Sequence, residues 1–338
     1  MQVLGGDPEI QVVGEAKDGL EAIQLTESLK PDLVTMDIFM PNMDGLEATK
    51  EIMFRFPTPI ILVTSSQRAR EVESSLASLG NGALDIIEKP IGPFAPKFQD
   101  SSTRLIATVK AMSKVKVIRH WRNPNAAPPL KPADARSSLK SGDFQTSRSV
   151  RPKILAIAAS TGGPAALQAL LSQLPQEFPL PVLIVQHITQ GFTEGLASWL
   201  GTSSRLEVKV GKQGEALMPG RVYVAPDNLH MGVTELGSIS LSSIDAIRGF
   251  RPSGTFLFES VARAFGPATL AVILTGMGED GLTGLHAVRR SGGRIIAQDQ
   301  STSVIFGMPG AAVAAGIVDV VLPLGDIAGK IISLVPMT

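Results

Sequence analysis

Residues 153–174 read KILAIAASTGGPAALQALLSQL. An uninterrupted apolar run leads into a glycine-rich turn, and the leucines and alanines that follow recur at helical spacing, so the stretch is one strand–turn–helix unit. A continuous apolar run marks a strand buried on both faces, as in a parallel sheet covered by helices. Toward the C-terminus such runs return at Val182–Gln186, Arg221–Ala225, Leu270–Leu274, Ile295–Gln298 and Val318–Leu322, most of them followed by a helical stretch. Together with Ile154–Ala158 they predict a doubly wound, mainly parallel α/β domain. A hairpin is expected across Leu229–Ser242, where polar and apolar residues alternate.

Toward the N-terminus the same alternation predicts a second, smaller α/β unit. Its strands are Gln11–Ala16, Leu33–Ile38, Ile60–Thr64 and Ala83–Glu88, with helices at Asp18–Leu29, Asp44–Phe56, Arg70–Leu79 and Thr103–Val117. Between the units, residues 122–153 hold many Pro, Ser and charged residues and few large apolar ones, which reads as a linker. The division expected is 1–110, a linker with the last helix of the first unit at 111–152, and 153–338. A chain of 338 residues, 44% of them hydrophobic, is long enough for two cores.

Composition excludes several classes of function. The 31 basic and 31 acidic residues cancel, so no polybasic surface points to nucleic acid or anionic lipid. No cysteine is present, which removes disulfides, thiolate nucleophiles and thiolate metal sites. No run of about 18 apolar residues is available for membrane insertion. The opening MQVLGGDPEI is too acidic for a signal peptide, and a cytoplasmic protein is expected.

In open α/β sheets ligands bind beyond the carboxyl ends of the strands. Three strand ends there carry reactive side chains: Ser160 in STGG, His187 after PVLIVQ, and Asp280 in GMGEDG. Each has an ordinary reading. STGG alone is a tight or phosphate-binding turn, His187 alone a packed residue, and Asp280 alone an N-cap for GLTGLHAVRR. Jointly they supply a nucleophile, a general base and an orienting carboxylate, the set that acyl transfer needs. His120, His230 and His286 suit structural roles, and no histidine pair has zincin spacing.

The segments IAASTGGPAAL, LIVQHITQGFT, PGRVYVAPDNLHM, FRPSGTFLFES, VILTGMGEDGLTGL and IAQDQSTSVIFGMPGAA occur in that order, and over them the chain resembles the catalytic domain of the chemotaxis protein-glutamate methylesterase/protein-glutamine glutaminase (CheB) family. The resemblance implies a serine hydrolase that demethylates glutamyl methyl esters, and deamidates glutamines, on bacterial chemoreceptors. It implies Ser160 as nucleophile, His187 as general base, Asp280 as orienting acid and the Met277 backbone N–H as oxyanion donor, with no cofactor for hydrolysis. Two positions depart from the family pattern: Ala159 replaces a glycine, and Thr255 stands where an acid makes a substrate-side contact. The alternatives are a non-catalytic signalling module that binds receptor or kinase, and a phosphate-binding module built on STGG.

The first unit resembles a response-regulator receiver, a flavodoxin-like domain. Asp37 of LVTMDIFMPNMDG is then the phosphorylation site, with Thr64 and Lys89 as the switch hydroxyl and lysine. The resemblance further implies a chemotaxis histidine kinase as phosphodonor, chemoreceptors as partners, and a receiver that covers the active site until phosphorylated. The family's first strand and its acidic pair have no counterpart here, so the Mg²⁺ site that receivers use is incomplete, and Asp7 lies in a loop. In the order 2-1-3-4-5 the missing strand would pair with the neighbourhoods of Val12 and Val34, at about 1–3 kcal/mol per unpaired buried group. The expectation is a start upstream of Met1. A chain beginning at Met1 is expected to hold a poorly folded, barely phosphorylated receiver.

Overall fold

The computed structural model describes residues 2–64, 83–90, 92, 98–115 and 150–335. The expected helix Arg70–Leu79, His120 and most of the linker lie outside the described residues.

In the first unit, α1 (Gln2–Gly5) and α2 (Gly19–Leu29) precede β1 (Val34–Asp37), α3 (Gly45–Arg55), β2 (Ile60–Thr64), β3 (Asp85–Glu88) and α4 (Phe98–Met112). Its described sheet is parallel, in the order β1-β2-β3, with Asp37 opposite Val63 and Thr64 opposite Glu88. Asp18 and Asp44 cap α2 and α3, each accepting backbone N–H groups that the first helical turn leaves unpaired.

Two sequence expectations are corrected here. Residues 11–16 form no strand, and Val12 and Val13 are exposed. A strand requires a ladder partner, and among the described residues this segment has none. The last helix begins at Phe98, five residues before the expected Thr103, because its first turn is polar and carries no apolar periodicity to detect.

Gly45 sets how closely α3 approaches β1. A Cβ at that position would lie 2.0 Å from the Asp37 carbonyl oxygen. Gly45→Ala is therefore expected to push α3 off the end of β1 and to cost about 1–3 kcal/mol, measured by chemical denaturation.

The second unit runs β4 (Ile154–Ala159), α5 (Gly163–Leu171), β5 (Val182–Gln186), α6 (Thr193–Ser203), β6 (Glu207–Val210), β7 (Arg221–Val224), β8 (His230–Val233), β9 (Ile239–Ser242), α7 (Gly254–Phe265), β10 (Thr269–Ile273), α8 (Leu282–Arg290), β11 (Arg294–Gln298), α9 (Met308–Ala314), β12 (Val320–Leu322) and α10 (Leu324–Leu334). Seven parallel strands form one sheet in the order β12-β11-β10-β4-β5-β7-β6, and β8 and β9 form the expected hairpin. β6 was not legible in the sequence: EVKV is a half-exposed edge strand with two charges and no apolar run.

Alternation along β4 explains the layering. Leu155, Ile157 and Ala159 pack in one core and Ile154, Ala156 and Ala158 in the other, as period-two side-chain geometry requires. Helices therefore cover both faces. From β4 the chain moves to one side through β5, and it later returns to the other side at β10. The crevice where the order reverses lies between β4 and β10, where such sheets bind ligands.

The two units touch. Val304 and Ile305, in the loop after β11, pack against the cluster of Ile61, Ile87, Leu105, Val109 and Met112 in the first unit.

Candidate active site

Ser160, His187 and Asp280 follow three strands that are neighbours in the sheet, β4, β5 and β10. Parallel strands that share a register end together, so their exits converge. The Ser160 turn is pinned on every side. Ser160 N donates to Thr275 O at 3.0 Å, Gly163 N donates to Ser160 O at 2.7 Å, and Gln186 Nε2 donates to Ser160 O at 2.8 Å. Gly162 turns the chain into α5 at φ 74°, a left-handed conformation that favours glycine.

His187 Nε2 lies 2.9 Å from Asp280 Oδ2, and the two side chains are 4% and 0% exposed. Because a carboxylate only accepts, the proton on this imidazole sits on Nε2. His187 Nδ1 is buried and has no hydrogen-bond partner, so its lone pair is free to take a proton.

Asp280 does not cap α8, whose N-cap is Gly281 with no side-chain bond. Its carboxylate points instead at the N-terminus of α7. Ser253 Oγ donates to Oδ1 at 2.7 Å, Gly254 N to Oδ2 at 2.6 Å and Thr255 N to Oδ1 at 3.2 Å. Burial pushes this carboxyl up, but the bonds from His187, Ser253 and Gly254 outweigh burial and hold it well below the usual carboxylate range. It is thus charged at every pH where the protein works.

Thr255 is buried behind Asp280, its Oγ1 accepting from Gly281 N at 2.9 Å. A threonine fits where a second carboxylate would face Asp280 at close range. Met277 follows Gly276, whose hypothetical Cβ would lie 2.7 Å from Ser160 Cβ. The Met277 peptide is therefore close to Ser160.

The other histidines behave structurally. His230 is fully buried, with Nε2 3.1 Å from Asp245 O, and His286 is exposed on α8. Sequence reasoning missed Ser253 and Gly254, although a serine before the apolar-periodic run GTFLFESVARAF is a helix-start signal. It also missed Gln186, whose Nε2 donates to both Ser160 O and His187 O.

In the first unit Asp37, Thr64 and Lys89 come together at the carboxyl edge of the sheet. Lys89 Nζ is 3.0 Å from Asp37 Oδ2, and Lys89 N donates to Thr64 O at 2.9 Å. Among the described residues no group of three His, Cys, Asp or Glu side chains converges. Asp7, at a distance from that corner, pairs with Lys110 at 2.9 Å.

At the other end of β3, Asp85 lies beside the side chain of Thr161, the neighbour of Ser160, which favours its ionised form. Burial pushes the Asp85 carboxyl up to about 6, against the opposing pull of Arg104, of the bond from Ile86 N and of Thr161.

Comparison with known proteins agrees with these two halves. The profile of the CheB methylesterase family matches residues 155–331, and that of the response regulator receiver domain matches residues 1–95. The protein-glutamate methylesterase/protein-glutamine glutaminase 4 of Myxococcus xanthus (strain DK1622) is 50% identical over 333 residues, covering 98% of this chain and 92% of that protein. The corresponding protein 3 of Anaeromyxobacter dehalogenans (strain 2CP-C) is 46% identical, covering 97% and 93%. Among solved structures, the Thermotoga maritima CheB methylesterase catalytic domain is 42% identical with a TM-score of 0.53, over 55% of this chain and 100% of that one.

Proposed function

The chain belongs to the CheB methylesterase family, with a receiver domain ahead of the catalytic one, and from that premise we propose that it hydrolyses glutamyl methyl esters and side-chain amides of chemoreceptors in the cytoplasm, under control of receiver phosphorylation. The observation that carries this reading is the buried His187–Asp280 pair beside Ser160, with Nδ1 unpartnered.

Ser160 Oγ attacks the ester carbonyl and passes its proton to His187 Nδ1. The imidazolium so formed is stabilised by Asp280 through Nε2. The negative charge on the carbonyl oxygen is met by the Met277 N–H. His187 then gives its proton to the leaving methoxide, which departs as methanol, or to the leaving amide nitrogen, which departs as ammonia. Water repeats the sequence on the acyl-enzyme and regenerates Ser160.

The domain division that fits this activity is 1–110, 111–152 and 153–338. Phosphate from a chemotaxis histidine kinase would be accepted by Asp37, with Lys89 as counter-charge and Thr64 as the switch hydroxyl.

The experiment is to incubate the purified chain with membranes holding methylated or amidated receptors and to measure released methanol and ammonia. Release of neither would remove the reading.

A further inference from the structure

The imidazole of His187 is held at one edge by Asp280, and one bond does not fix a plane. The χ2 torsion of histidine is broad, so the Asp280 bond alone leaves the ring able to turn about the Nε2···Oδ2 direction and change where Nδ1 points. The missing constraint is supplied from 63 residues away in sequence. Phe250 stacks on His187 with ring centroids 4.0 Å apart and planes inclined by only 8°.

The segment that presents Phe250 is anchored at both ends. Ile247 and Phe250 exchange backbone hydrogen bonds of 3.1 and 3.0 Å around a two-residue turn, with Arg248 at φ 50° and Gly249 at φ 85°. Below the turn, Asp245 O is bonded to His230 Nε2, and Arg251 Nη1 donates to Ser243 O and Ile244 O at 3.2 and 3.1 Å. At its tip, Arg248 forms an ion pair with Glu279, the neighbour of Asp280. The wall over the imidazole is thus tied to the loop that carries the orienting acid.

We propose that Phe250 is a positioning residue for the general base: its ring fixes the plane of the His187 imidazole so that Nδ1 faces Ser160, and it shields the His187–Asp280 bond from water. The proposal rests on the reading of Ser160 and His187 as nucleophile and base. The stacked face also meets the imidazolium when it forms, a favourable contact of cation with ring quadrupole that is absent while the imidazole is neutral.

The test uses the full chain with Phe250→Leu, which keeps apolar bulk but has no flat ring, and Phe250→Tyr, which keeps the ring. On methylated receptor membranes, the Leu variant is expected to lose about 10- to 100-fold in kcat with KM within about twofold and an unchanged melting temperature, since small misplacements of a reacting group cost that much. The Tyr variant should restore kcat. An independent readout needs no turnover. The proton in the His187 Nε2–H···Asp280 bond should give a sharp downfield NMR resonance in the parent and the Tyr variant, broadened by exchange with water in the Leu variant.

A Leu variant with parental kcat and a sharp resonance would overturn the proposal. So would a loss confined to KM, which would make Phe250 a substrate contact, or a Tyr variant as slow as Leu. If the parent chain itself releases no methanol, the esterase reading fails, while the resonance still decides whether Phe250 holds the ring.

Discussion

Ser160→Ala is expected to reduce methanol release from methylated receptor membranes by about 10⁶-fold, to the level left by binding and oxyanion contacts alone. The turn around Ser160 is held by main-chain bonds to Thr275, Gly163 and the Gln186 side chain, and among the described residues none of these bonds uses Oγ. Removing the hydroxyl therefore leaves the fold and the His187–Asp280 pair intact. The control is an unchanged melting temperature together with retained receptor binding. A variant that keeps more than about a hundredth of the parent rate would show that another group delivers the attack, and would end the assignment of Ser160 as nucleophile.

The second large effect is expected at Asp280→Asn, a loss of about 10⁴-fold in kcat with little change in KM, measured on the same membranes. The reason is a mismatch of donors. Asp280 accepts from four groups, Oδ1 from Ser253 Oγ and Thr255 N, Oδ2 from Gly254 N and His187 Nε2. An amide offers one oxygen and one NH₂, so either way round it turns two donors onto a donor. With the NH₂ toward His187, the imidazole must accept at Nε2 and carry its proton on Nδ1, the atom required as base. With the NH₂ toward Ser253, Thr255 N keeps only Ser253 Oγ as acceptor, and the site loses the negative charge that stabilises the imidazolium. The buried mismatch also destabilises the fold, by about 1–3 kcal/mol for an unsatisfied buried group, so the variant should be assayed well below its melting temperature.

Much of the second unit was legible because a parallel sheet converts sequence pattern directly into position. Apolar runs report strands, and the residue after each run reports the carboxyl edge, which is how Ser160, His187 and Asp280 could be picked from single positions. Strand adjacency was less legible. Nothing in the local pattern of TLAVI states that β10 lies beside β4, more than a hundred residues earlier, because that neighbourhood comes from tertiary packing. The same reason hid Phe250, whose role exists only once two distant loops meet.

Other misses follow from what periodicity measures. It responds to apolar residues whether or not they are buried, and residues 11–16 carry the adjacent Val12 and Val13 without the ladder that makes a strand. Conversely β6 has a ladder partner in β7 but exposes Glu207, so its pattern is faint. The bonds of Thr255 to Asp280 and Gly281 were not legible either, because they arise only once helix α7 turns its first residues onto the loop after β10.

The seven-stranded sheet places β4 at its middle, with β10 and β5 on either side, and Ser160, His187 and Asp280, the proposed catalytic side chains, all follow these strands. Central strands open to solvent only when the whole domain unfolds, whereas edges such as β12 and β6 fray first. Amide protons of Ile157, Val185 and Val272 should therefore exchange at the rate of global unfolding. Heating or denaturant would then abolish hydrolysis and the domain's circular dichroism in one transition, leaving no window in which the protein is folded but inactive.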